Sequence, residues 1–276
     1  MPELPEVETV RRGLQKQLSG SVIKTIKVLR EASVGYPSPK EFISILKGRK
    51  FRSIERRGKY LLMHLSDEIG MMAHLRMSGR LIVMDADGVE PDHVRVRILL
   101  QDGRKLVFDD TRVFGRLWGV PSGMNFEEVL PSLAKLGPEP LGGLDPKHLQ
   151  DCFSGKKQCI KTALLDQTIV AGIGNIYADE SLHRAKINPQ TEAGLLSLKQ
   201  LSRLSKEIEI VLCNAIEAGG STLRDYVNAD GVNGNYQHEA LVYGRKGEAC
   251  RSCKSKIERV KLGGRSSHFC PRCQPV

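Results

Sequence analysis

The chain opens Met1-Pro2-Glu3-Leu4-Pro5-Glu6-Val7-Glu8. Once Met1 is trimmed, Pro2 carries a free secondary amine, and such an amine can attack a carbonyl-like carbon to form a charged imine. While Met1 is attached, the same nitrogen is an inert tertiary amide. A small second residue favours trimming. Glu3 and Glu6 fall one helical turn apart beside it. The stretch therefore pairs a candidate nucleophile with two carboxylates. On this stretch alone the plainer reading prevails, a proline-initiated surface helix whose acidic first turn suits the helix dipole, so the rest of the chain must decide.

At the other end the chain reads Cys250-x2-Cys253-x16-Cys270-x2-Cys273. Two tight thiol pairs match a closed tetrahedral zinc site. Four thiolates leave no coordination position for substrate, so the expectation is one structural Zn2+. Between the pairs, residues 257–261 and 265–269 flank Gly263-Gly264, the pattern of a hairpin with Arg265 near its tip. A guanidinium there can grip a phosphate, and a solvated hairpin arginine is the alternative. A third pattern runs from Asp166 to Tyr177: a helix ends, Gly172-Ile173-Gly174 turns, and a helix opens at about Asn175. Free N–H groups at a helix start bind phosphate. Asn175 either caps that helix or reaches the phosphate itself. Lys156, Lys157 and Lys161 precede it. Met77 and Phe114 sit in polar, turn-forming segments near Arg76 and Arg112. Apolar side chains beside arginines suit a wedge that unstacks a duplex, and burial in the core is the alternative. Lys59 and His74 are candidate phosphate contacts. His93, at the start of a strand, reads equally as a strand cap.

These residues need elements to position them. Leu4, Val7, Val10, Leu14 and Leu18 recur three or four apart, predicting an amphipathic helix that ends near Ser19-Gly20. From 21 to about 120 the pattern is strand-like, with candidates at 22–28, 51–54, 59–65, 71–75, 80–83, 93–100 and 105–108. Asp102-Gly103 supplies a hairpin turn. Many strands with turn signals predict an antiparallel sandwich or barrel. A helix is expected over 127–136, then breakers at 137–143 mark a domain junction. Helices are expected over 149–153, 160–166, 176–183 and 198–218, the last stopped by Gly219-Gly220. Residues 221–238 lack periodicity and are long enough for a functional loop.

Composition sets the frame. With 276 residues, 40% hydrophobic and 27% charged, the chain is globular and long enough for more than one domain. A net charge of +10 and a pI of about 9.3 suit a polyanionic partner. No apolar run is long enough to cross a membrane, and the acidic start does not resemble a signal peptide. Cys152, Cys159 and Cys213 stand apart from the pairs. An odd thiol count without a leader points to a reducing cytoplasm.

Taken together, these residues resemble one family, the bacterial formamidopyrimidine-DNA glycosylases that act on 8-oxoguanine. The resemblance rests on the start from Met1 to Arg12, Arg57-Gly58-Lys59-Tyr60-Leu61-Leu62, His74-Leu75-Arg76-Met77-Ser78-Gly79, the turn from Asp166 to Glu180, and the zinc hairpin with Arg265. It implies an α+β multidomain fold. An N-terminal catalytic β-sandwich flanked by helices would span 1–135. A helix-two-turn-helix DNA-binding domain with a lesion-capping loop would span 136–238, and a zinc finger 239–276. It further implies Pro2 as nucleophile at C1′, Glu3 as proton donor to the sugar, Glu6 as organiser of the amine, and Lys59 in β-elimination. Arg265 would grip DNA, with a role in δ-elimination. Met77, Arg112 and Phe114 would fill the gap left by a flipped nucleotide. His74, His93, Lys156 and Asn175 match DNA contacts, and Ser221, Arg224 and Tyr226 belong to the segment expected over the extruded purine. The implied partner is double-stranded DNA holding an oxidised purine or an abasic site. The implied protein is a monomer in the bacterial cytoplasm, nucleoid-associated through DNA, with no organic cofactor. Cys159 departs from the small or hydroxylated residue of relatives. Two rivals are the endonuclease VIII family, which prefers oxidised pyrimidines, and a non-catalytic DNA-binding protein using the same hairpin.

Overall fold

The computed structural model describes residues 1–221 and 235–275. They fall into two compact units, Met1–Lys135 with Gly219–Asn235, and Leu136–Ala218 with Tyr236–Val276.

In the first unit, α1 (Leu4–Leu18) starts behind a proline and buries Leu4, Val7, Val10, Leu14 and Leu18 completely. Then follow β1 (Ile23–Val28), β2 (Val34–Tyr36), α2 (Pro39–Leu46), β3 (Phe51–Arg57), β4 (Tyr60–Leu65), β5 (Gly70–His74), β6 (Gly79–Asp85), β7 (Val94–Leu100), β8 (Arg104–Asp110) and β9 (Arg116–Val120). One sheet runs β1-β7-β8-β6 and the other β2-β9-β5-β4-β3. Alternation decides which residues enter the core. Val96, Ile98 and Leu100 of β7 point in, as do Leu61, Met63 and Leu65 of β4. The α1 stripe joins that same core and packs on β3, β4 and β6, while α2 packs on β1, β2 and β9. Each fully buried aliphatic side chain contributes about 1.5–3 kcal/mol, so the stripe fixes where the helix start must lie.

Several features depart from the sequence expectation, which placed no element at α2 or β9. The short β2 pairs parallel with β9, so the sandwich is not wholly antiparallel. Lys59 lies in the turn before β4 rather than in the strand. The helix expected over 127–136 is two single turns, α3 (Phe126–Val129) and α4 (Pro131–Ala134). Pro131 lacks an N–H and pushes Leu130 out of helical conformation, to φ −133° and ψ 85°.

The second unit holds α5 (Pro146–Phe153), α6 (Ile160–Leu164), α7 (Asn175–Arg184), α8 (Leu198–Glu217) and the hairpin β10 (Glu258–Leu262) with β11 (Arg265–Phe269). Two consecutive carboxylates on α7 hold it together. Asp179 accepts hydrogen bonds from Lys161 Nζ at 2.6 Å, Ser267 Oγ at 2.8 Å and the His268 N–H at 2.8 Å. Glu180 accepts three backbone N–H groups, from Leu241, Val242 and Tyr243. Both are fully buried. Burial holds the Glu180 carboxyl above its ordinary range, against those three donors. One helix thus anchors α6 and the hairpin with one residue and the 241–243 segment with the next. Among the described residues no helix is long and apolar enough to cross a membrane.

Removing one partner of a buried ion pair strands the other charge, at a cost of about 3–5 kcal/mol. Asp179→Ala is therefore expected to lower the urea midpoint of the full chain strongly. Lys161→Met combined with Asp179→Asn should recover part of that loss. A single variant that unfolds like the parent would refute the assignment.

Candidate active site and nucleic-acid surface

The start of α1 brings Pro2, Glu3 and Glu6 together, all buried. Glu6 Oε2 accepts the Glu3 N–H at 2.7 Å, and Oε1 accepts the Ser221 N–H at 2.8 Å. A helix start leaves N–H groups without intrahelical partners, and here a side chain from the first turn takes one of them. The second bond ties the segment after α8 to the same point. Gly220 (φ +83°) makes this approach possible, since a Cβ there would lie 3.0 Å from Glu6 Cγ. Ser221 therefore contributes a backbone donor. Arg224 and Tyr226 lie outside the described residues.

Lys59 is buried and follows Gly58, whose φ is +56°. Arg56 Nη1 donates to the Gly58 carbonyl at 2.9 Å, and Arg56 Nε lies 3.3 Å from Glu8 Oε2. Glu8 also holds Arg11 and Arg12. Burial opposes its ionisation, yet the three guanidinium groups keep its carboxyl below the ordinary range. The chain Glu8–Arg56–Gly58 thus connects α1 to the turn that carries Lys59.

His74 ends β5, buried, with its ring edge-on to Tyr60 at 4.6 Å. Its Nδ1 accepts the Arg76 N–H at 3.0 Å. Burial first, then the charges of Arg76 and Lys59, push its pKa down to about 3. The imidazole is accordingly a neutral acceptor that shapes the turn leading into Met77. Met77 and Phe114 are 42% and 49% exposed, which excludes the core reading. The Arg112 guanidinium lies over the Phe114 ring, 4.9 Å from its centroid. Asp110, at the end of β8, accepts from Ser78 Oγ and from the N–H groups of Arg112 and Gly115. Its neighbour Asp109 accepts from Arg80 and from the His93 N–H at 3.0 Å. His93 is itself exposed. Sequence reasoning passed over both aspartates. The available clue was a pair of acids closing the otherwise apolar run Leu106-Val107-Phe108.

In the second unit, Gly174 is the N-cap of α7 and Asn175 its first residue, so Asn175 is not the cap. Asn175 Nδ2 donates to the Ser266 carbonyl at 2.9 Å, and its buried Oδ1 has no partner among the described residues. Lys156 is half-buried. Arg265 is exposed at the first position of β11, just past Gly263 (φ +52°) and Gly264 (φ +80°). The hairpin tip approaches α6 closely, as a Cβ on Gly263 would sit 3.0 Å from Thr162.

The sulfur atoms of Cys250, Cys253, Cys270 and Cys273 lie within 4.8 Å of one another, with Cys250–Cys273 at 3.9 Å and Cys253–Cys270 at 3.4 Å. Tetrahedral zinc with Zn–S bonds of about 2.3 Å requires sulfurs about 3.8 Å apart, so the four thiols fit one Zn2+. His183 Nε2 stands 3.8 Å from Cys250 Sγ, in reach of a supporting contact. Among the described residues, the apolar cluster around the cysteines is small, with Val242 and Ile257 fully buried. That is too little to hold a fold without metal.

Comparison with known proteins covers the whole chain. Family models match at residues 1–117 (formamidopyrimidine-DNA glycosylase N-terminal domain), 136–227 (formamidopyrimidine-DNA glycosylase H2TH domain) and 247–276 (zinc finger found in FPG and IleRS). A formamidopyrimidine-DNA glycosylase of Gloeobacter violaceus is 48% identical over 277 residues, covering 99% of this chain and 98% of the relative. Among solved structures, a Lactococcus lactis FPG mutant bound to Fapy-dG containing DNA superposes with a TM-score of 0.92 at 36% identity, covering 100% of both chains. The Lactococcus lactis protein bound to DNA with an abasic site gives 0.91 at 37% identity, covering 99% of this chain and 100% of that one.

Two outcomes are expected from this geometry. Cys270→Ala should abolish zinc by metal analysis and open residues 247–275 to protease, whereas retained stoichiometric zinc would contradict the four-cysteine site. For His74, folding favours the neutral ring. Its contribution to stability is therefore full above the ordinary pKa of 6.5 and fades as pH falls from there towards 3. The His74 ring resonances should not move between pH 7.5 and 5, and a titration centred near 6.5 would refute its burial as a neutral acceptor.

Proposed function

The chain belongs to the formamidopyrimidine-DNA glycosylase family, DNA-repair enzymes with a zinc finger, and from that premise we propose that it excises oxidised purines through Pro2 and then cleaves the strand. The observation that carries this reading is the convergence of Pro2, Glu3 and Glu6 at the buried start of α1. The substrates proposed are 8-oxoguanine, formamidopyrimidines and abasic sites in duplex DNA. The Lactococcus lactis complexes with Fapy-dG and abasic DNA support that choice.

The chemistry follows from the residue types. With Met1 removed, the Pro2 nitrogen attacks C1′ of the damaged nucleotide, and the bond to the base breaks, the departing base taking up the proton that the amine releases. Glu3 gives a proton to the sugar ring oxygen as the ring opens. The product is an iminium linking Pro2 to C1′. That cation acidifies the C2′ proton, so loss of the proton expels the 3′ phosphate, and a second elimination expels the 5′ phosphate. Glu6 takes no part in proton transfer in this reading. Both its oxygens accept backbone N–H groups, which fixes the nucleophile's end of the helix. Lys59, close enough for its charge to act on His74, assists the first elimination. Arg265 carries a guanidinium fork, which suits gripping phosphates better than giving up a proton. Reaching C1′ requires the nucleotide to leave the stack at a cost of a few kcal/mol, which Met77, Arg112 and Phe114 offset by filling the gap. His93, Lys156 and Asn175 belong to the DNA-contacting surface. Zinc holds the hairpin and supplies no step.

One assay separates the readings. The protein is incubated with duplexes containing 8-oxoguanine, thymine glycol or an abasic site, with borohydride present. The expected result is a covalent trap and strand cleavage on 8-oxoguanine opposite cytosine, lost in Pro2→Gly. A strong preference for thymine glycol would favour pyrimidine specificity. Binding with no trap on any duplex would leave a DNA-binding protein, and an undiminished trap in Pro2→Gly would remove Pro2 as nucleophile. A mass spectrum of the same preparation should show Met1 absent.

A further inference from the structure

We propose that Asp110 is a positioning residue that locks Met77, Arg112 and Phe114 into the shape that enters the duplex. The proposal rests on the reading of those three residues as the group that fills the gap. Successive strand residues face opposite ways, so the two acids closing β8 serve different neighbours. Asp109 faces Arg80 and the His93 N–H. Asp110 faces inward and is fully buried.

Its two oxygens gather three donors from two separate loops. Oδ1 accepts from Ser78 Oγ and from the Arg112 N–H at 3.2 Å, and Oδ2 accepts the Gly115 N–H at 2.7 Å. Ser78 directly follows Met77, while Arg112 and Gly115 bracket Phe114. One carboxylate therefore fixes the two loops of the wedge relative to each other. The loops need that restraint. Val113, between Arg112 and Phe114, has φ +56°, and Arg76, just before Met77, has φ +55°. A β-branched residue rarely adopts the left-handed conformation, and it persists only where surrounding contacts over-determine it. Gly115 shows how tight the arrangement is, since a Cβ there would lie 2.6 Å from the Phe108 ring and 3.1 Å from Asp110 Oδ2. A wedge ordered in advance does not lose loop entropy at the moment of insertion. Exposed apolar tips on a buried ionic anchor have the form this requires.

The test uses the full-length, zinc-loaded protein and Asp110→Asn. The amide keeps the volume but turns an NH2 towards one of the donors, so at least one tie is lost. Single-turnover excision of 8-oxoguanine is measured opposite cytosine and opposite an abasic site, where no pairing has to be broken. Fluorescence of 2-aminopurine beside the lesion follows unstacking. Loss of a hydrogen bond to a buried charged acceptor predicts about a ten-fold slower excision and unstacking on the paired duplex. The duplex lacking the opposite base should be nearly unaffected. Ser78→Ala should show the same pattern more weakly, and it decides the matter if Asp110→Asn does not fold. Equal losses on both duplexes, or none on either, would overturn the proposal. Phe114→Ala provides the reference. If it impairs the paired duplex while Asp110→Asn does not, the wedge reading stands and the role of Asp110 fails. If Phe114→Ala changes neither excision nor fluorescence, the wedge reading itself fails and the proposal with it.

Discussion

The buried carboxylate of Glu6 is the contact on which the candidate active site depends. A helix start concentrates N–H groups that lack intrahelical partners and carries the positive end of the helix dipole. An ionisable group buried there is stable only if its oxygens are hydrogen-bonded. Glu6 meets that condition with the N–H groups of Glu3 and Ser221, residues far apart in the chain. The result is a fixed first turn, and Pro2 and Glu3 inherit its position. Behind it the apolar stripe of α1 sets the helix axis on the sandwich, so the end of the helix cannot wander. Glu8, two residues on, extends the same logic through Arg56 to the turn that carries Lys59.

The same device recurs elsewhere in the fold. Asp110, Asp179 and Glu180 are all fully buried; Asp110 and Glu180 accept several backbone N–H groups from segments without regular structure, and Asp179 accepts one from His268 of β11. Such segments offer few apolar side chains to bury, so packing alone would leave them loose. A carboxylate that accepts several N–H groups supplies strong, directional bonds instead. Breaking one strands a buried acceptor, which costs more than the bond contributes when intact. Loops held in this way can carry exposed or strained residues, as Met77, Val113 and Phe114 do, without losing their shape.

Much of this was legible in the residues themselves. The α1 stripe, the alternation along β7, the paired cysteines and the Gly-Gly turn before Arg265 are local patterns with one dominant physical solution each. Other features depend on partners that local spacing does not show. β2 is only Val-Gly-Tyr and exists because β9 lies beside it. Residues 127–136 carry helical spacing, yet Pro131 interrupts the hydrogen-bond ladder that spacing alone does not reveal. Asn175 has the residue type of a cap, but Gly174 takes that position and the Asn175 amide turns to Ser266, 91 residues on.

The sequence by itself determined α1, α5 to α8, most strands, the metal ligands and the juxtaposition of Pro2 with two glutamates, because these depend on neighbours three, four or a few residues away. The tertiary structure alone decided that Met77 and Phe114 face solvent, that His74 is a buried neutral acceptor, and that Asp110 joins two loops. Exposure, desolvation and hydrogen-bond partners are properties of what surrounds a side chain, and for these residues the surroundings come from elsewhere in the chain, as with Asp110 and Ser78, 32 residues apart. A residue type states what a group is able to bond, and only the packed fold states which partner is within reach.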